Sequence, residues 1–412
     1  MLPSKKDIEV LRRLAARYAE HAALPVQAQK LKMWRSLNDG HMVKPMVAID
    51  QMPWNELDVD GFLRCEVEHP YWRNVEWHLR TEIYKWEHLP ADMVLNPYVL
   101  IPRHISNTGF GVTNKERIAV TDPTSSVVGH YYEAVISEPE DIEKIKIPQL
   151  GVDREADKAA AEAANYIFEG IIPWKFSGLN MHLGAWDYLS QWLGVENAYI
   201  ELIERPQFMH ACMERMTEAF VSMIEQANEL GIFDINTNIT HCSYTFSSAL
   251  PGPDCDPERP TSKDAWAFGL AQLFTGVSPE ITAEFEVPYM QRLFPYFGAI
   301  YYGCCDRLDD RLDIVARMPN IKKVSCSPWS DREAFAEKVP DEYIMSAKPS
   351  PAIFATDTFD EEAARADVRR TIEAAKRYGK RLELIMKDIS TVRYDPPRLW
   401  RWAEIAVEET MR

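Results

Sequence analysis

The sequence lacks the short motifs by which several large enzyme classes are recognised. It contains neither GxxxxGK[ST] nor a GxGxxG that follows a strand pattern, the two glycine-rich loops that hold nucleotide phosphates. It also contains no HExxH, CxxC or GxSxG. A zinc protease, a zinc ribbon and an α/β-hydrolase are therefore disfavoured along with a nucleotide-dependent enzyme.

Positive charge and long apolar runs are also scarce. The chain has 46 Lys and Arg against 63 Asp and Glu, and its formal net charge of -17 disfavours a basic face for nucleic acid. No run of about 18 uncharged apolar residues predicts a membrane helix, and the charged amino-terminal segment does not resemble a signal peptide.

The seven cysteines, an odd number, fit free thiols or ligands better than a disulfide framework. We expect a cytoplasmic protein that acts on a small molecule.

Apolar, β-branched runs of strand length recur between longer helical patterns. They lie at residues 44–50, 93–101, 171–178, 232–238, 299–305, 321–327, 342–348 and 382–388. The 412 residues, 46% of them hydrophobic, are enough to bury a large core. Eight strands alternating with helices predict a (β/α)8 TIM barrel, an α/β fold. We expect one domain over residues 1–412, in which residues 1–43 form an N-terminal helical extension.

Polar side chains follow most of these runs. The carboxyl ends of barrel strands converge on one pocket, so we expect the functional site there. The candidate residues are Asp50, His182, Asn238, His241, Cys304 and Lys387. Each alone has a structural alternative, because an aspartate or asparagine after a strand often caps the next helix, and a lone histidine is usually a hydrogen-bonded structural group.

The segment 299–331 is the most informative one. One strand run ends in Cys304, Cys305 and Asp306, and the next ends in Cys326. Such side chains meet at one mouth of a parallel sheet. Because side chains alternate along a strand, only one of the two adjacent cysteines is expected to face the barrel interior. The alternative is that the thiols pack as small apolar groups.

Three stretches carry a resemblance to a known family: YGCCDRLDDRLDIVARMPNIKKVSCSPWSD, ELIMKDIS and DPPRLWRWAEIA. They look like the uroporphyrinogen decarboxylase superfamily of barrels, nearest to its corrinoid-dependent methyltransferases and its uncharacterised decarboxylase-like members. The similarity covers most of the chain.

In the methyltransferase branch, a His-x-Cys pair and a distant second cysteine bind zinc. The resemblance places Tyr302 at the histidine, Cys304 at the first cysteine and Lys387 at the second cysteine. It implies that Cys304 is the reactive thiol and that a zinc site needs substitute ligands. The candidate substitutes are His241, Cys326 and Asp306. We expect the metal set Cys304, His241 and Cys326, since zinc accepts thiolate and imidazole.

The resemblance implies a methyltransferase that moves a methyl group between a small donor, such as an aromatic methyl ether, and a corrinoid protein. Zinc, or a proton from Tyr302, His241 or Lys387, would stabilise the leaving oxygen. The expected partners are the small-molecule substrate and a corrinoid protein, with neither nucleic acid nor membrane, and a homodimer stays open.

Two alternatives remain. The first is a cofactor-independent decarboxylase or other lyase that acts on a carboxylated substrate through Asp50, His182 and Lys387. In that branch an early RQAGR signature is usual, and this chain has IDQMPWNEL at residues 49–57 instead. The second is a non-catalytic binding protein that has lost the metal ligands.

Overall fold

The computed structural model describes residues 2–120, 122–125 and 127–412. Its α-helices are α1 (Lys5–Ala22), α2 (Pro25–Asn38), α3 (Trp54–Leu57), α4 (Pro70–His88), α5 (Arg154–Phe168), α6 (Ala185–Leu193), α7 (Val195–Glu204), α8 (Pro206–Leu230), α9 (Pro279–Phe285), α10 (Val287–Leu293), α11 (Leu312–Val315), α12 (Arg332–Lys338), α13 (Glu361–Arg377) and α14 (Pro397–Thr410). Its strands are β1 (Met46–Ile49), β2 (Val99–Pro102), β3 (Ile105–Asn107), β4 (Lys115–Ala119), β5 (Gly129–Glu133), β6 (Leu150–Val152), β7 (Trp174–Ser177), β8 (Met181–Leu183), β9 (Ile239–Thr240), β10 (Ser243–Tyr244), β11 (Trp266–Gly269), β12 (Ala299–Tyr302), β13 (Ile321–Cys326), β14 (Ile344–Ala347) and β15 (Arg381–Met386). Short 3₁₀ helices lie at Pro139–Lys144, Ser262–Asp264, Gln272–Gly276, Phe294–Tyr296 and Pro351–Phe354.

The central sheet is parallel. Seven of the described strands form it in the order β1-β15-β14-β13-β12-β11-β8, and every neighbouring pair runs parallel. Strands β2 and β7 form a second parallel pair, and a single bridge joins Leu179 to Phe233. The chain therefore has a mixed α/β fold. A closed (β/α)8 TIM barrel stays a prediction, because the ladders between the described strands join seven strands and do not form a closed ring.

The central strands have an apolar face on each side of the sheet. Along β12, Ala299 and Tyr301 pack into one hydrophobic cluster while Ile300 and Tyr302 pack into the other. This alternation follows from the two-residue repeat of a strand. Burial on both faces explains why these strands read as near-continuous apolar runs.

Most of the predicted strand runs contain a strand, but the run at residues 232–238 does not. Among the described residues it makes only the bridge at Phe233. Asp234 turns the chain there, since its Oδ1 accepts hydrogen bonds from the backbone N–H groups of Asn236 at 2.7 Å and Thr237 at 2.8 Å. Two strands of the central sheet, β8 and β11, were not predicted, because neither Met181–Leu183 nor Trp266–Gly269 contains a β-branched residue.

The helices cover the sheet and follow ordinary end rules. Helix α13 begins after Asp360, whose side chain accepts a hydrogen bond from the N–H of Ala363, and it ends before Gly379, which has a φ of 66°. Helices α1 and α2 form the predicted amino-terminal helical segment, and α1 packs on α4. The division of residues 1–412 into a single domain with an extension stays a prediction. No helix of the described residues combines the length and apolarity needed to cross a membrane.

Candidate functional site

Two loops at the carboxyl edge of the sheet bring the candidate residues together, although β13 and β14 lie between the strands that these loops follow. Cys304 and Cys305 follow β12, and Lys387 and Asp388 follow β15. His241 lies in the turn between β9 and β10, and its ring contacts Cys304 of the first loop and Lys387 of the second. We call these five residues the thiol cluster.

The distances within the thiol cluster are short. The Sγ of Cys304 lies 3.4 Å from Nε2 of His241 and 3.7 Å from Sγ of Cys305. The Sγ of Cys305 donates to Oδ2 of Asp388 at 3.1 Å. The Nζ of Lys387 lies 2.8 Å from Sγ of Cys304 and 2.9 Å from Nε2 of His241. One thiol pair, one imidazole, one ammonium and one carboxylate therefore share a single site.

Unusual backbone conformations concentrate around the thiol cluster. His241 and Asp388 have φ values of 57° and 55°, and Gln51 and Asn238 at adjacent loops have values of 50° and 57°. Non-glycine residues seldom adopt this left-handed region, and such strain collects at functional sites. Gly303, which joins β12 to Cys304, has a φ of 86° and no room for a side chain.

His241 is held as a neutral base. Its ring stacks on Phe268 with the centroids 3.9 Å apart and the planes 5° from parallel. Burial lowers the pKa of His241 to about 2, and the charges of Lys387 and Lys348 add to this. Its Nε2 faces the donating ammonium of Lys387 and therefore carries the lone pair. This nitrogen is free to bind a cation but has no proton to donate.

Cys304 is the more acidic thiol. The hydrogen bond with Cys305 lowers the pKa of Cys304, and the Lys387 ammonium lowers it further against the effect of burial. The same hydrogen bond and burial raise the pKa of Cys305. Burial opposes the charge on Lys387, but the neighbouring Cys242, Cys304 and Asp388 raise its pKa overall. The pair therefore favours a Cys304 thiolate beside a Lys387 ammonium.

The donor atoms of the thiol cluster fit a zinc ion. Cys304, Cys305 and Asp388 offer ligand atoms that all lie within 4.8 Å of one another. Two thiolates that bind tetrahedral zinc at about 2.3 Å are about 3.8 Å apart, close to the 3.7 Å between the two sulfurs here. His241 adds a neutral imidazole at 3.4 Å from the Cys304 sulfur. Sulfur, nitrogen and carboxylate oxygen are the ligands that zinc takes in proteins.

Cys326 and Tyr302 lie away from the thiol cluster. Both are fully buried on the opposite face of the sheet, in the other hydrophobic cluster from Cys304. Burial raises the pKa of Cys326 to about 12. The hydroxyl of Tyr302 donates to Oε1 of Glu286 at 3.3 Å. Within the described residues, the structure thus joins Cys304 to Cys305 and Asp388 and leaves Cys326 out of the metal-ligand group.

The expectation that one of the adjacent cysteines faces away from the site is wrong. Strand β12 ends at Tyr302, so the alternation of a strand no longer governs residues 304 and 305. Both sulfurs face the cluster, and Cys305 is the more exposed of the two. Asp306 is not a ligand but an orienting residue, because its Oδ1 accepts the N–H of Cys304 at 2.6 Å.

Asp50 and His182 lie close to the cluster, whereas Asn238 has a local role. Asp50 follows β1, which neighbours β15, and burial raises its pKa although the charges of Lys85 and Lys387 oppose this. The ring of His182 meets Phe268 with centroids 5.1 Å apart. Asn238 donates to the hydroxyl of Tyr98 at 3.1 Å and lines a cavity of only about 20 Å³.

A wider cleft opens beside His182. It measures about 570 Å³, and its aromatic walls include Phe110, Tyr188, Trp192 and Phe220. Amide side chains also line it: Asn107, Asn114, Asn180 and Gln191. The Nε2 of His182 lies 3.3 Å from a carboxylate oxygen of Asp187, and the side chain is 47% exposed. The cleft can therefore hold a planar apolar molecule beside a polar edge.

Below the thiol cluster, a row of buried polar side chains crosses the same face of the sheet. We call it the polar floor. Lys323 donates to Glu383 at 2.7 Å, and Ser346 donates to the other oxygen of Glu383 at 2.6 Å. Tyr301 lies 2.9 Å from the hydroxyl of Ser346, and Lys348 donates to both. Each of these five groups has a partner, as a buried polar network requires.

Sequence reasoning found Cys304, His241 and Lys387, turned Cys305 away from the pocket, and placed Asp388 at a strand end without naming it as a metal ligand. Asp388 directly follows Lys387, so its place at a strand end was visible. Its contact with Cys305 depends on two loop conformations that no sequence pattern records. Phe268 was missed because β11, which carries it, was not predicted.

Comparison with known proteins gives a likeness of fold. No family model matches the chain, and no curated protein matches it. Among the solved structures that match, one is a methyltransferase from Methanosarcina mazei. It has 13% sequence identity and a TM-score of 0.50, and the match covers 93% of this chain and 98% of that one. The two proteins therefore share an overall α/β architecture.

Proposed function

We propose that this protein is a methyltransferase that moves a methyl group between a small donor and a corrinoid carried by a partner protein. The thiol cluster carries the proposal, because it gathers an acidic thiol, a second thiol, a carboxylate and a neutral imidazole at the carboxyl ends of the sheet strands. The fold shared with a methyltransferase supports it. We assign the chain to the uroporphyrinogen decarboxylase superfamily and its strands to a (β/α)8 barrel as part of the same proposal.

Transfer from a methyl ether leaves an alkoxide or phenoxide, which is a poor leaving group unless it is protonated or bound by a Lewis acid. A zinc ion held by Cys304, Cys305 and Asp388, with His241 as a further donor, would supply that Lewis acidity. Of the proton donors named from the sequence, Tyr302 is on the wrong face of the sheet and His241 is neutral. Lys387 remains within the cluster, and His182 is the exposed alternative at its edge.

The aromatic-walled cleft is the proposed binding site for the methyl donor. The ring of Phe268 separates His182 in the cleft from His241 in the thiol cluster, with ring centroids 5.1 Å and 3.9 Å away. The His182 end of the cleft is thus one aromatic ring away from His241, and we propose that the reacting end of the donor lies at this end of the cleft. Its walls suit an aromatic ring, and its amides suit hydroxyl or methoxy substituents.

The test compares Cys304→Ala with Cys326→Ala. Both remove one buried thiol, but only Cys304 belongs to the thiol cluster. We expect wild-type protein and C326A to hold about one zinc per chain and to methylate a reduced corrinoid protein from a methoxyphenol. We expect C304A to lose the metal and to lose at least about 100-fold in transfer rate, because an alanine cannot replace a thiolate ligand. Equal zinc content in C304A and C326A would contradict the metal assignment. Wild-type protein that neither holds zinc nor methylates a corrinoid protein would contradict the function.

A cofactor-independent decarboxylase is the second candidate, and Asp50 favours it. Burial raises the pKa of this carboxyl, so it keeps its proton more readily and can protonate the carbanion that loss of carbon dioxide leaves. Lys387 nearby would hold the substrate carboxylate. An activity on a carboxylated substrate that survives chelators and does not need Cys304 would place this function ahead.

A further inference from the structure

Lys387 lies in the middle of the thiol cluster and makes the contacts that a metal ion would make. Its Nζ lies 2.8 Å from the Cys304 sulfur, 2.9 Å from Nε2 of His241 and 3.1 Å from Oδ2 of Asp388. These three atoms are also donor atoms of the candidate metal site. The side chain of Lys387 is only 1% exposed, so the ammonium has exchanged its water for these partners.

A buried thiolate needs a counter-charge. An unpaired charge in a buried site is costly, and the site either pairs it or neutralises it. Cys304 is 4% exposed, and Lys387 supplies the adjacent positive charge. A divalent metal ion would supply the same counter-charge more strongly. Two cations within about 3 Å of one another repel, so the ammonium and the metal cannot share the three donors.

We propose that Lys387 is an internal competitor of the metal ion, so that its ammonium and the metal occupy the donors of Cys304, His241 and Asp388 in turn. This inference rests on the metal assignment of the proposed function but not on methyl transfer. In the metal-free protein the lysine keeps the thiolate paired and the donors assembled. In the metal-loaded protein the ammonium gives up these contacts. The metal affinity is therefore lower than the donor set alone would give.

The experiment measures zinc affinity by competition with a chromogenic chelator, under reducing conditions, in the full-length protein. Lys387→Met keeps the length of the side chain and removes its charge, whereas Lys387→Arg keeps the charge. Lys348→Met is the matched control, because Lys348 is also buried on this sheet face but donates to Tyr301 and Ser346. We expect K387M to bind zinc at least tenfold more tightly than wild type, since one charge-assisted hydrogen bond no longer has to be broken. We expect the zinc affinities of K387R and K348M to stay within about threefold of the wild-type value.

The result that would overturn the inference is zinc binding by K387M that is equal to or weaker than that of wild type. The absence of zinc binding in both proteins would overturn it as well. Lys387→Gln repeats the test with a neutral polar side chain if K387M fails to fold, as judged by its melting curve. Tighter binding by K387M together with a wild-type protein that transfers no methyl group would keep the competition and reject methyl transfer. The competition between Lys387 and the metal ion can therefore be contradicted without contradicting methyl transfer, and the reverse also holds.

Discussion

The sharpest consequence of the cluster geometry is the pH at which Cys304 reacts. The thiolate is the nucleophile, and a free cysteine has a pKa of about 8.5. Because the Cys305 hydrogen bond and Lys387 lower the pKa of Cys304, its alkylation should persist at a pH where ordinary thiols have stopped reacting. Cys305, whose pKa is raised, should react only above that range. Cys304 is 4% exposed, so its absolute rate will be low and the pH profile is the quantity to measure.

The perturbation is Cys305→Ala, which removes the hydrogen bond at 3.7 Å between the two sulfurs. A hydrogen bond to a charged group is worth about 1.5–3 kcal/mol, and a thiol is a weak donor, so the lower end applies. One pKa unit corresponds to about 1.4 kcal/mol. We therefore expect the midpoint of the Cys304 profile to move up by about one pH unit in C305A.

The assay is iodoacetamide labelling of metal-free protein from pH 5 to 10, with the labelled cysteine identified by mass spectrometry. Cys65→Ala is the matched control, because Cys65 is a partly exposed thiol outside the metal-ligand group and its removal should leave the Cys304 profile unchanged. A Cys304 midpoint at or above that of a free thiol would refute the reasoning. So would a C305A profile that is unchanged or moves to lower pH.

Two further predictions concern the support of the cluster. Glu383→Ala should lower the free energy of unfolding, measured with urea, by about 3–5 kcal/mol, because it leaves the fully buried Lys323 without its anion. A loss of less than about 1 kcal/mol would mean that the pair is not buried in solution. Gly303→Ala should cost about 1–3 kcal/mol and weaken zinc binding, since its φ is 86° and a Cβ would lie 2.7 Å from Leu308. Gly379→Ala is its control, because the φ is also positive but nothing lies within 4 Å, so zinc binding should not change.

The central strands were predictable because burial on both faces gives them a plain chemical signature. β12, β13 and β14 lie within the predicted apolar runs, and β15 does so except for its first residue, Arg381. β8 and β11 were not predictable by the same argument, since neither strand contains a β-branched residue. Pairing with neighbours, not local preference, makes them strands. The run at 232–238 has the composition of a strand, but Asp234 bonds its backbone into a turn.

The site was predictable as a location and not as a set of contacts. Strand ends at the carboxyl edge identified Cys304, His241 and Lys387, which the structure places within 3.4 Å of one another. The choice of Cys326 as a metal ligand failed for a geometric reason. It is the last residue of β13 and still obeys strand alternation, which turns it to the opposite face from Cys304. Cys305 escapes that rule because β12 has already ended.

The neutral form of His241 also depends on the polar floor beneath the thiol cluster. The floor contains two lysines, Lys323 and Lys348, and one carboxylate, Glu383, so it has an excess of positive charge. Lys348 contributes to the lowered pKa of His241, which shows that this charge acts on the cluster above. Buried positive charge disfavours the protonated form of an imidazole nearby. The floor therefore helps to keep His241 in the neutral form, in which its Nε2 can bind a metal ion. Because burial and Lys387 also lower the pKa of His241, loss of the Lys348 charge alone leaves this neutral form in place.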